Sequence, residues 1–404
     1  METNVKLNAK SIIDILTLRY DSTQKPLLPK LSSDDFLPTN YNPSIEYIQK
    51  TLEDQIKNKI KSDEDKVAVA LSGGVDSTLV LSALRNAIPN QVEAISIKFA
   101  DSVDETPAAS KIANELQVNH NVVFVENYLA ELPKAISIIG LPFWDLHWYY
   151  VTKKAKTLSK YLVSGDGGDE LFGGYTFRYK KFLSLVTSDS NPLDKIKAYL
   201  QCHERDRVPN QDELFGKKVN FSWDLIYKQL LQYFDNNLPL LEQVFLADYN
   251  GKLLYNFLPV NTSLHNHFGV VAVAPILSKE MIQYATHIPS SFKYDLATDT
   301  GKLLLRKLLT KYKTDNLVST EKLGFNVNTL NLWKNFGQKI CKKYLSNARV
   351  VQDGWINQSW IDSYIDKRDD LEIRYVNKLM GLLGFEIWYR LFFTKEMSPD
   401  TILN

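Results

Sequence analysis

Strand-forming and helix-forming stretches alternate between residues 67 and 164, and this alternation restricts the fold more than any other feature of the sequence. The β-rich runs VAVAL (67–71), AISIKF (94–99), NVVFV (121–125) and YLVS (161–164) are separated by stretches with helical periodicity. Strands that are connected through helices in this way form parallel pairs. The sequence therefore predicts an α/β fold with a parallel sheet and helices on both faces.

The parts before and after this alternation differ in character. Residues 1–44 are rich in Pro, Asn, Ser and Asp, which predicts an irregular arm rather than a packed unit. Apolar residues three or four apart then predict an amphipathic helix that ends near Ile60. The later sequence is mainly helical. We expect one domain over residues 45–404, with an α/β part at about 65–175 and a helical part at about 176–404.

Composition narrows the classes of function. Lys and Arg (48) nearly balance Asp and Glu (47), so no broad positive surface is expected for nucleic acid or an anionic membrane. Cys202 and Cys341 have no C-x-x-C partner, which argues against a disulfide framework or a thiolate zinc site. No signal-peptide core and no apolar run near the roughly 20 residues of a membrane span is present. We expect a cytoplasmic protein that binds neither nucleic acid nor membrane.

The stretch LSGGVDST, residues 71–78, lies where a predicted strand leads into a predicted helix. Ligands bind at the carboxyl ends of parallel strands, where helix N-termini present free N–H groups. The stretch is neither a Walker A loop nor a G-x-G-x-x-G motif, and taken alone it favours a glycine turn that binds nothing. It does offer backbone access, hydroxyls and a carboxylate for a hard cation, from Ser72, Gly73, Gly74, Asp76, Ser77 and Thr78.

A second glycine-rich turn, LVSGDGGDELFGGY at residues 162–175, follows the last predicted strand. It concentrates three carboxylates, Asp166, Asp169 and Glu170, beside Ser164 and several glycines. Neighbouring carboxylates repel one another, so Mg²⁺ or an amine ligand is the expected counter-charge. Two such turns at the ends of parallel strands are expected to face each other across one crevice.

These motifs resemble those of a known family. LSGGVDS is similar to the pyrophosphate loop of the N-type ATP pyrophosphatases, and SGDGGDELFGGY resembles the second signature of the asparagine synthetase family. KLLLRKLL (302–309), TEKLGFN (320–326) and LLGFEIWYR (382–390) follow in the family's order. The resemblance covers about residues 45–395 and implies an adenine nucleotide alpha hydrolase-like fold. It also implies that ATP converts a carboxylate into an acyl adenylate with release of pyrophosphate, and that a nitrogen nucleophile then displaces AMP.

The same resemblance implies roles for individual residues. Asp76 and Asp169 would hold Mg²⁺, and Lys322 would stabilise charge that develops on the phosphates in the transition state. Asp166 and Glu170 are candidates to receive the amine proton or to hold the nitrogen donor. The positions that match ATP contacts are Leu71, Ser72, Gly73, Gly74, Asp76, Ser77, Phe99, Ser164 and Gly165.

Several other residues keep more than one interpretation. Phe99 is equally compatible with the core of the sheet. Lys302 and Arg306 are four apart on one predicted helical face, where they could reach phosphate or form a solvated surface. His265 and His267 have no third ligand nearby in the sequence, so we interpret them as polar loop residues rather than a metal site.

The sequence departs from the family pattern in two places. Members that use glutamine begin with a glutaminase domain whose first residue is a nucleophilic cysteine, whereas this sequence has Glu2 and no such domain. Nitrogen is therefore expected from free ammonia, a substrate amine or a separate subunit. Val271 and Val273 fall where the family has a Glu and an Arg that shape the acid pocket. Because arginine is a bidentate partner for carboxylates, aspartate is in doubt as the small carboxylic-acid substrate.

The sequence thus favours an ATP- and Mg²⁺-dependent ligase that joins ammonia or an amine to aspartate or another small acid. Two alternatives remain, namely an RNA-modifying enzyme with the same ATP site and a non-catalytic ATP-binding partner or regulatory subunit. The neutral net charge counts against the first alternative. The presence of Asp76, Asp169 and Lys322 together counts against the second. Whether the chain forms a homo-oligomer is left open.

Overall fold

A five-stranded sheet lies at the centre of the computed structural model, which describes residues 7–39, 42–61, 65–100, 102–318 and 327–404. The strands are β1 (Val67–Ala70), β2 (Val92–Phe99), β3 (Asn119–Val125), β4 (Tyr161–Val163) and β5 (Val271–Val273). Their spatial order is β3-β2-β1-β4-β5, and all neighbouring pairs are parallel. The predicted parallel α/β sheet is therefore confirmed.

Strand β1 occupies the middle of the sheet, and all of its residues are buried. Val67 lies opposite Val92 on one side and Tyr161 on the other. Successive side chains of a strand point to opposite faces, so uniform burial means that both faces are covered. The fifth strand, Val271–Val273, was not predicted, because a run of three residues is too short for periodicity to identify.

Helices from the first half of the chain surround this sheet. α3 packs against α2, and α4 packs against β2 and β3. The bounds are α1 (Ala9–Leu18), α2 (Ile45–Lys59), α3 (Val75–Ala87), α4 (Thr106–Glu115), α5 (Leu132–Ile139), α6 (His147–Ala155) and α7 (Gly168–Phe172).

The rest of the chain is mainly helical, as predicted. A short antiparallel pair, β6 (Tyr294–Asp295) with β7 (Thr300–Gly301), interrupts the helices. The segment Tyr249–Phe257 is helical with a kink at Gly251, whose backbone angles are not helical. The helices are α8 (Thr176–Leu185), α9 (Pro192–Cys202), α10 (Trp223–Phe234), α11 (Leu240–Asp248), α12 (Leu258–Phe268), α13 (Lys279–Thr286), α14 (Leu303–Tyr312), α15 (Thr329–Leu332), α16 (Gln338–Leu345), α17 (Arg349–Gln352), α18 (Gln358–Tyr364) and α19 (Ile373–Phe392). In the described parts of the chain, no helix is both long enough and apolar enough to cross a membrane.

The N-terminal segment differs from the expected irregular arm, because residues Ala9–Leu18 form α1. The Asn8 side chain caps this helix by accepting the N–H of Ser11 at 2.8 Å. Ile12 and Leu16 are buried one turn apart, and α1 packs against α19. A ten-residue helix is marginal by itself in water, so tertiary packing stabilises it. The turn-forming composition of the residues that follow obscured this short amphipathic pattern in the sequence.

We predict that Leu16→Ala destabilises the protein by about 2–5 kcal/mol, because it leaves a cavity beneath a packed helix. Leu27→Ala is the matched control, since the Leu27 side chain is exposed. Chemical denaturation of both variants measures the difference in the free energy of unfolding. Equal effects of the two substitutions would show that α1 does not contribute to the core.

Candidate active site

The two glycine turns meet at the carboxyl ends of adjacent strands. The first turn leads from β1 into α3 and the second leads from β4 into α7, and β1 pairs directly with β4. Between them lies a crevice of about 380 Å³. Most predicted site residues line it, namely Ser72, Gly74, Asp76, Ser77, Ser164, Gly165, Asp166, Asp169 and Glu170. The expectation that the two turns face one crevice is met.

Hydrogen bonds within the first turn fix its shape. The hydroxyls of Ser77 and Thr78 donate to the carbonyl oxygen of Gly74 at 3.2 and 2.8 Å. The N–H of Ser72 donates to Ser77 Oγ at 3.2 Å. Gly73 has a φ of +80°, a conformation that strongly favours glycine. The turn therefore presents a preorganised backbone at the N-terminus of α3, where anions are favoured.

Two glycines of the second turn make room for Asp76 of the first. A Cβ atom on Gly165 would lie 2.7 Å from Asp76 Cβ, and one on Gly168 would lie 2.3 Å from Asp76 Oδ1. Both glycines therefore allow close contact between the two turns, and the predicted contact of Gly165 with a nucleotide stays a prediction. Gly165 still lines the crevice.

Lys302 bridges the two carboxylates that were expected to bind a metal. Its Nζ lies 2.5 Å from Asp76 Oδ2 and 2.6 Å from Asp169 Oδ1. Burial disfavours the ammonium form, but the charges of Asp169 and Asp76 outweigh burial and raise the pKa of Lys302 above its ordinary value. The counter-charge expected for this site is therefore present as a side chain of the protein itself.

The position of Lys302 corrects the expected shared face with Arg306. Lys302 is the residue before α14 and adopts a φ of +58°, so it is not part of the helix. Arg306 Nε donates instead to the carbonyl oxygen of Gly301 at 3.1 Å. Lys302 lines the crevice, whereas Arg306 is not part of its wall.

The carboxylate pair also fits a magnesium ion that is shared with phosphate. Within the described residues, no cluster of three or more His, Cys, Asp or Glu side chains could hold a metal ion by itself. Mg²⁺ at nucleotide sites is commonly bound by one or two carboxylates, with phosphate oxygens and water as the other ligands. Asp76 and Asp169 both reach one cation, so they meet this requirement once a phosphate is present.

The two other acidic residues of the second turn have different surroundings. Asp166 accepts a hydrogen bond from Asn261 Nδ2 at 3.0 Å, and burial raises its pKa. Glu170 accepts a hydrogen bond from the hydroxyl of Tyr175 at 2.5 Å. Burial, together with the nearby charge of Asp169, raises the pKa of Glu170 to about 7. A carboxyl group with this pKa can take up and release a proton near neutral pH.

Several predicted site residues lie outside the crevice wall. Leu71 is fully buried, and its carbonyl oxygen accepts the hydroxyl of Ser96 at 2.6 Å. Phe99 is buried and packs edge-on against Tyr128, with ring centroids 5.3 Å apart. Gly73 shapes its turn from behind the wall. Lys322 lies outside the described residues, so its role stays a prediction.

The two valines that replace the family's Glu and Arg form part of β5. Val273 is buried and its carbonyl oxygen accepts the N–H of Ser164 at 3.0 Å, whereas Val271 is partly exposed. Neither side chain lines the crevice. The two valines extend the sheet beside β4. Their side chains carry no charge that could bind an acid substrate.

His265 is not a polar loop residue, as the sequence had suggested. It lies on α12 and is buried, and it accepts a hydrogen bond from Trp148 Nε1 at 3.0 Å. Burial lowers the pKa of His265 to about 4, so the ring is neutral at pH 7. His267 is on the same helix. Trp148 borders the crevice, so the Trp148–His265 pair supports its wall.

Sequence reasoning missed three residues of the site. Tyr175 ends the second motif but received no role, and Asn261 received none either. For Lys302, the sequence was equally consistent with a phosphate contact and with a solvated surface position. The signal for Tyr175 was its place in the motif, whereas the contacts of Asn261 and Lys302 join positions about 95 and 226 residues apart along the chain.

Comparison with known proteins agrees with the motifs. The family model described as Asparagine synthase matches residues 47–390. Asparagine synthetase [glutamine-hydrolyzing] 1 of Bacillus subtilis (strain 168) is 26% identical over 402 residues, which cover 89% of this chain and 61% of the relative. A putative asparagine synthetase [glutamine-hydrolyzing] of Mycobacterium tuberculosis (strain ATCC 25618 / H37Rv) is 22% identical over 431 residues, covering 98% and 64%. The chain thus spans about three fifths of the length of these relatives.

Solved structures share less with this chain. The NH3-dependent NAD synthetase from Campylobacter jejuni subsp. jejuni NCTC 11168 has a TM-score of 0.27 at 16% identity, over 42% of this chain and 90% of that chain. The NMN synthetase from Francisella tularensis has a TM-score of 0.27 at 15% identity, over 57% and 98%. Similarity at this level carries no argument about function.

We predict that Lys302→Met increases the affinity of the protein for Mn²⁺ in the absence of nucleotide by about tenfold or more. Loss of the ammonium leaves two neighbouring carboxylates that need another cation. Lys307→Met is the control. Lys307 is exposed on the adjoining helix, and its substitution removes the same charge. Electron paramagnetic resonance of free Mn²⁺ measures the affinities. If both variants behave alike, Lys302 does not block a metal position.

Proposed function

Because the chain belongs to the asparagine synthase family, we propose that its crevice binds ATP and joins a carboxylic acid to a nitrogen nucleophile through an acyl adenylate. Family membership supports the expected class of ATP-dependent ligase. AMP and pyrophosphate are the proposed by-products. The acid and the nitrogen donor of this chain remain part of the proposal.

The observation that carries this proposal is the convergence of Asp76 and Asp169 beside the N-terminus of α3. The helix N-terminus and the turn that precedes it favour phosphate. The two carboxylates supply positions for the cation that accompanies a nucleotide triphosphate. A glycine turn without a ligand would require neither carboxylate, and it would not require Lys302 between them.

In our proposal Ser72, Gly74 and Ser77 contact the phosphates, and Asp76 and Asp169 hold Mg²⁺. Bound Mg²⁺ would offset negative charge on the phosphate oxygens and polarise the bonds to phosphorus. Lys302 lies between the two carboxylates and can turn its ammonium toward a phosphate oxygen once a metal shares them. Lys302 therefore joins Lys322 as a proposed cation for the developing pyrophosphate charge.

The adenosine contacts stay proposals with differing support. Ser164 and Gly165 border the crevice, so their backbone is accessible to a nucleotide. Leu71 and Phe99 are buried behind the wall, and we propose that they support the shape of the nucleotide site from the core of the sheet.

Glu170 is the proposed proton acceptor in amide formation. The nitrogen of a neutral amine forms a bond with the acyl carbon, and the bond from that carbon to the AMP oxygen breaks with its electron pair leaving on AMP. One proton then passes from the nitrogen to the carboxylate of Glu170. A donor that arrives as an ammonium ion first loses another proton to solvent. The pKa of Glu170, at about 7, suits this exchange near neutral pH.

Asp166 is better suited to holding a group than to proton transfer. Asn261 fixes its carboxylate by a hydrogen bond at 3.0 Å, and both residues line the crevice. We propose that this pair contacts the acid substrate, which is aspartate or another small acid. Val271 and Val273 lie outside the crevice wall and lend the acid no charged partner, so the substrate carboxylate has no arginine partner from these positions.

A pyrophosphate-exchange screen tests this function. Purified protein is incubated with ATP, Mg²⁺, labelled pyrophosphate and a panel of carboxylic acids, without any amine. An acid that forms the acyl adenylate supports incorporation of label into ATP. Absence of acid-dependent exchange across the panel, together with absence of ATP binding in calorimetry, would refute the proposal.

We predict that Asp169→Asn reduces acid-dependent exchange by at least about 10²-fold, because it removes an anionic ligand from the proposed cation site. Asp189→Asn removes an equal charge from an exposed position and should retain normal exchange. Circular dichroism verifies that both variants fold. Near-normal exchange by the Asp169 variant would show that this carboxylate does not hold the metal.

For Glu170→Gln we predict a loss of about 10²- to 10⁴-fold in the amine-dependent release of AMP, with a much smaller loss of pyrophosphate exchange. The wild-type rate of amide formation should fall as pH decreases through about 7, because protonated Glu170 cannot accept a proton. Rapid-quench measurements give the pH profiles of the wild type and of the Glu170→Gln variant. Glu115→Gln, at an exposed position, is the control. If the Gln variant keeps the same bend near pH 7, another group is the base.

A further inference from the structure

A second chamber adjoins the crevice, and neither of the two carboxylates that hold Lys302 lines it. Its volume is about 530 Å³, and it shares Asp145, His147, Tyr175 and Phe257 with the crevice wall. We use "second chamber" for this cavity, whose charged wall includes Arg19, Arg178, Arg205 and Lys252.

We propose that the second chamber binds the nitrogen donor, and that the donor is an amino acid, meaning an amine that also carries a carboxylate, rather than free ammonia. This inference rests on the proposed function, because it identifies the nucleophile of the same reaction. It follows from the position of the proposed base, from the charge of the walls and from the size of the cavity.

The junction between the two cavities suits an amine. Tyr175 lines both, and its hydroxyl donates to Glu170, so the proposed base is next to the opening. Arg178 lies over the Tyr175 ring, with its Cζ 3.5 Å from the ring centroid, and holds the ring in place. Asp145, also shared by both walls, is a partly exposed carboxylate that contacts Arg19 and can accept a further hydrogen bond from an amine. An amine that enters through the second chamber therefore arrives beside its proton acceptor.

Most charges of the chamber wall are paired with carboxylates in the wall or, for Arg178, with buried Asp248 behind it. Arg178 pairs with Asp248 at 3.0 Å, and Lys252 pairs with Asp206 at 2.5 Å. Arg19 contacts both Asp145 and Asp206, the latter at 3.0 Å. These three cations and three carboxylates compensate each other and leave little net charge.

Among the described residues of the wall, Arg205 is one cation in excess. It is exposed at the wall, and within the described residues its guanidinium takes part in no ion pair. His203 does not add to the charge, because burial and the charges of Arg178 and Lys252 lower its pKa well below the ordinary value. A ligand carboxylate near Arg205 would complete the pairing, since guanidinium binds carboxylate through paired hydrogen bonds.

The cavity is also much larger than ammonia requires. A molecule the size of water occupies about 30 Å³ in the liquid, and ammonia is similar. Aromatic residues, Tyr128, Trp144 and Phe177, line the chamber and suit the carbon skeleton of a larger ligand. An excess cation disfavours entry of an ammonium ion, whereas an amino acid carries no net charge and satisfies both ends of the chamber.

The acid substrate is assigned to the crevice rather than to the second chamber. Its carboxylate has to meet the phosphates near Asp76, Asp169 and Lys302, and none of these residues lines the second chamber. The reverse arrangement would place the body of the acid beside Arg205. In that case Arg205→Gln would change the KM of the acid, so the kinetic experiment distinguishes the two arrangements.

Donor selectivity tests the proposal in the full-length protein. With an acid that supports exchange, we expect glycine to have a higher kcat/KM than ethylamine or ammonium. Arg205→Gln should reduce the preference for glycine over ethylamine by about five- to tenfold through the KM of glycine, because only glycine has the carboxylate. Arg368→Gln, at an exposed arginine outside both cavities, should keep the preference. Equal use of ammonium and glycine, or an Arg205 effect on the KM of the acid instead, would overturn the proposal.

Ligand-observed NMR separates failure of this inference from failure of the proposed function, since it needs no turnover. Saturation transfer from the protein to glycine and γ-aminobutyrate, with and without ATP, should exceed transfer to ethylamine and acetate, and Arg205→Gln should weaken it. Binding of this kind without pyrophosphate exchange would support the chamber and reject the ligase function. Exchange without selective binding of either amino acid would retain the ligase function and reject the chamber.

Discussion

The ammonium group of Lys302 is the contact on which the candidate site depends. It joins Asp76, which follows the central strand β1, to Asp169, which follows its neighbour β4. Two half-buried carboxylates at such close range repel each other unless a cation lies between them. Lys302 comes from the helical half of the chain, so the same contact ties that half to the sheet. A metal ion that arrives with a nucleotide must therefore share the carboxylates with a cation already in place.

This arrangement divides the acidic residues of one turn between two kinds of chemistry. Asp169 is paired with a permanent cation, whereas its neighbour Glu170 is buried and accepts a hydrogen bond from the neutral phenol of Tyr175. The charge of Asp169 and burial together move the pKa of Glu170 to about 7. Adjacent residues can thus serve as a fixed anion and as an exchangeable proton acceptor, because their surroundings differ rather than their side-chain chemistry.

The sequence predicts the structural features that depend on local sequence pattern. It does not predict those that depend on contacts between residues far apart in the chain. Apolar runs and glycine turns identify four strands and place both turns at strand ends, because strand period and turn chemistry are local properties. No local pattern distinguishes Lys302 from a surface lysine, since its carboxylate partners are more than a hundred residues away. The three-residue strand Val271–Val273 and the burial of His265 likewise depend on neighbours that the chain brings together only when it folds.

The two cavities are also built differently, and this difference affects how specificity can vary. The phosphate end of the crevice is made by two compact motifs whose glycines pack one turn against the other, so few substitutions fit there. The second chamber is made by residues from several helices and loops, among them Arg19, which follows α1 and precedes the family match at residues 47–390. The cavities share only a narrow part of their walls. A change of donor therefore requires substitutions in the second chamber alone, while the carboxylates and the lysine that organise the phosphate end stay intact.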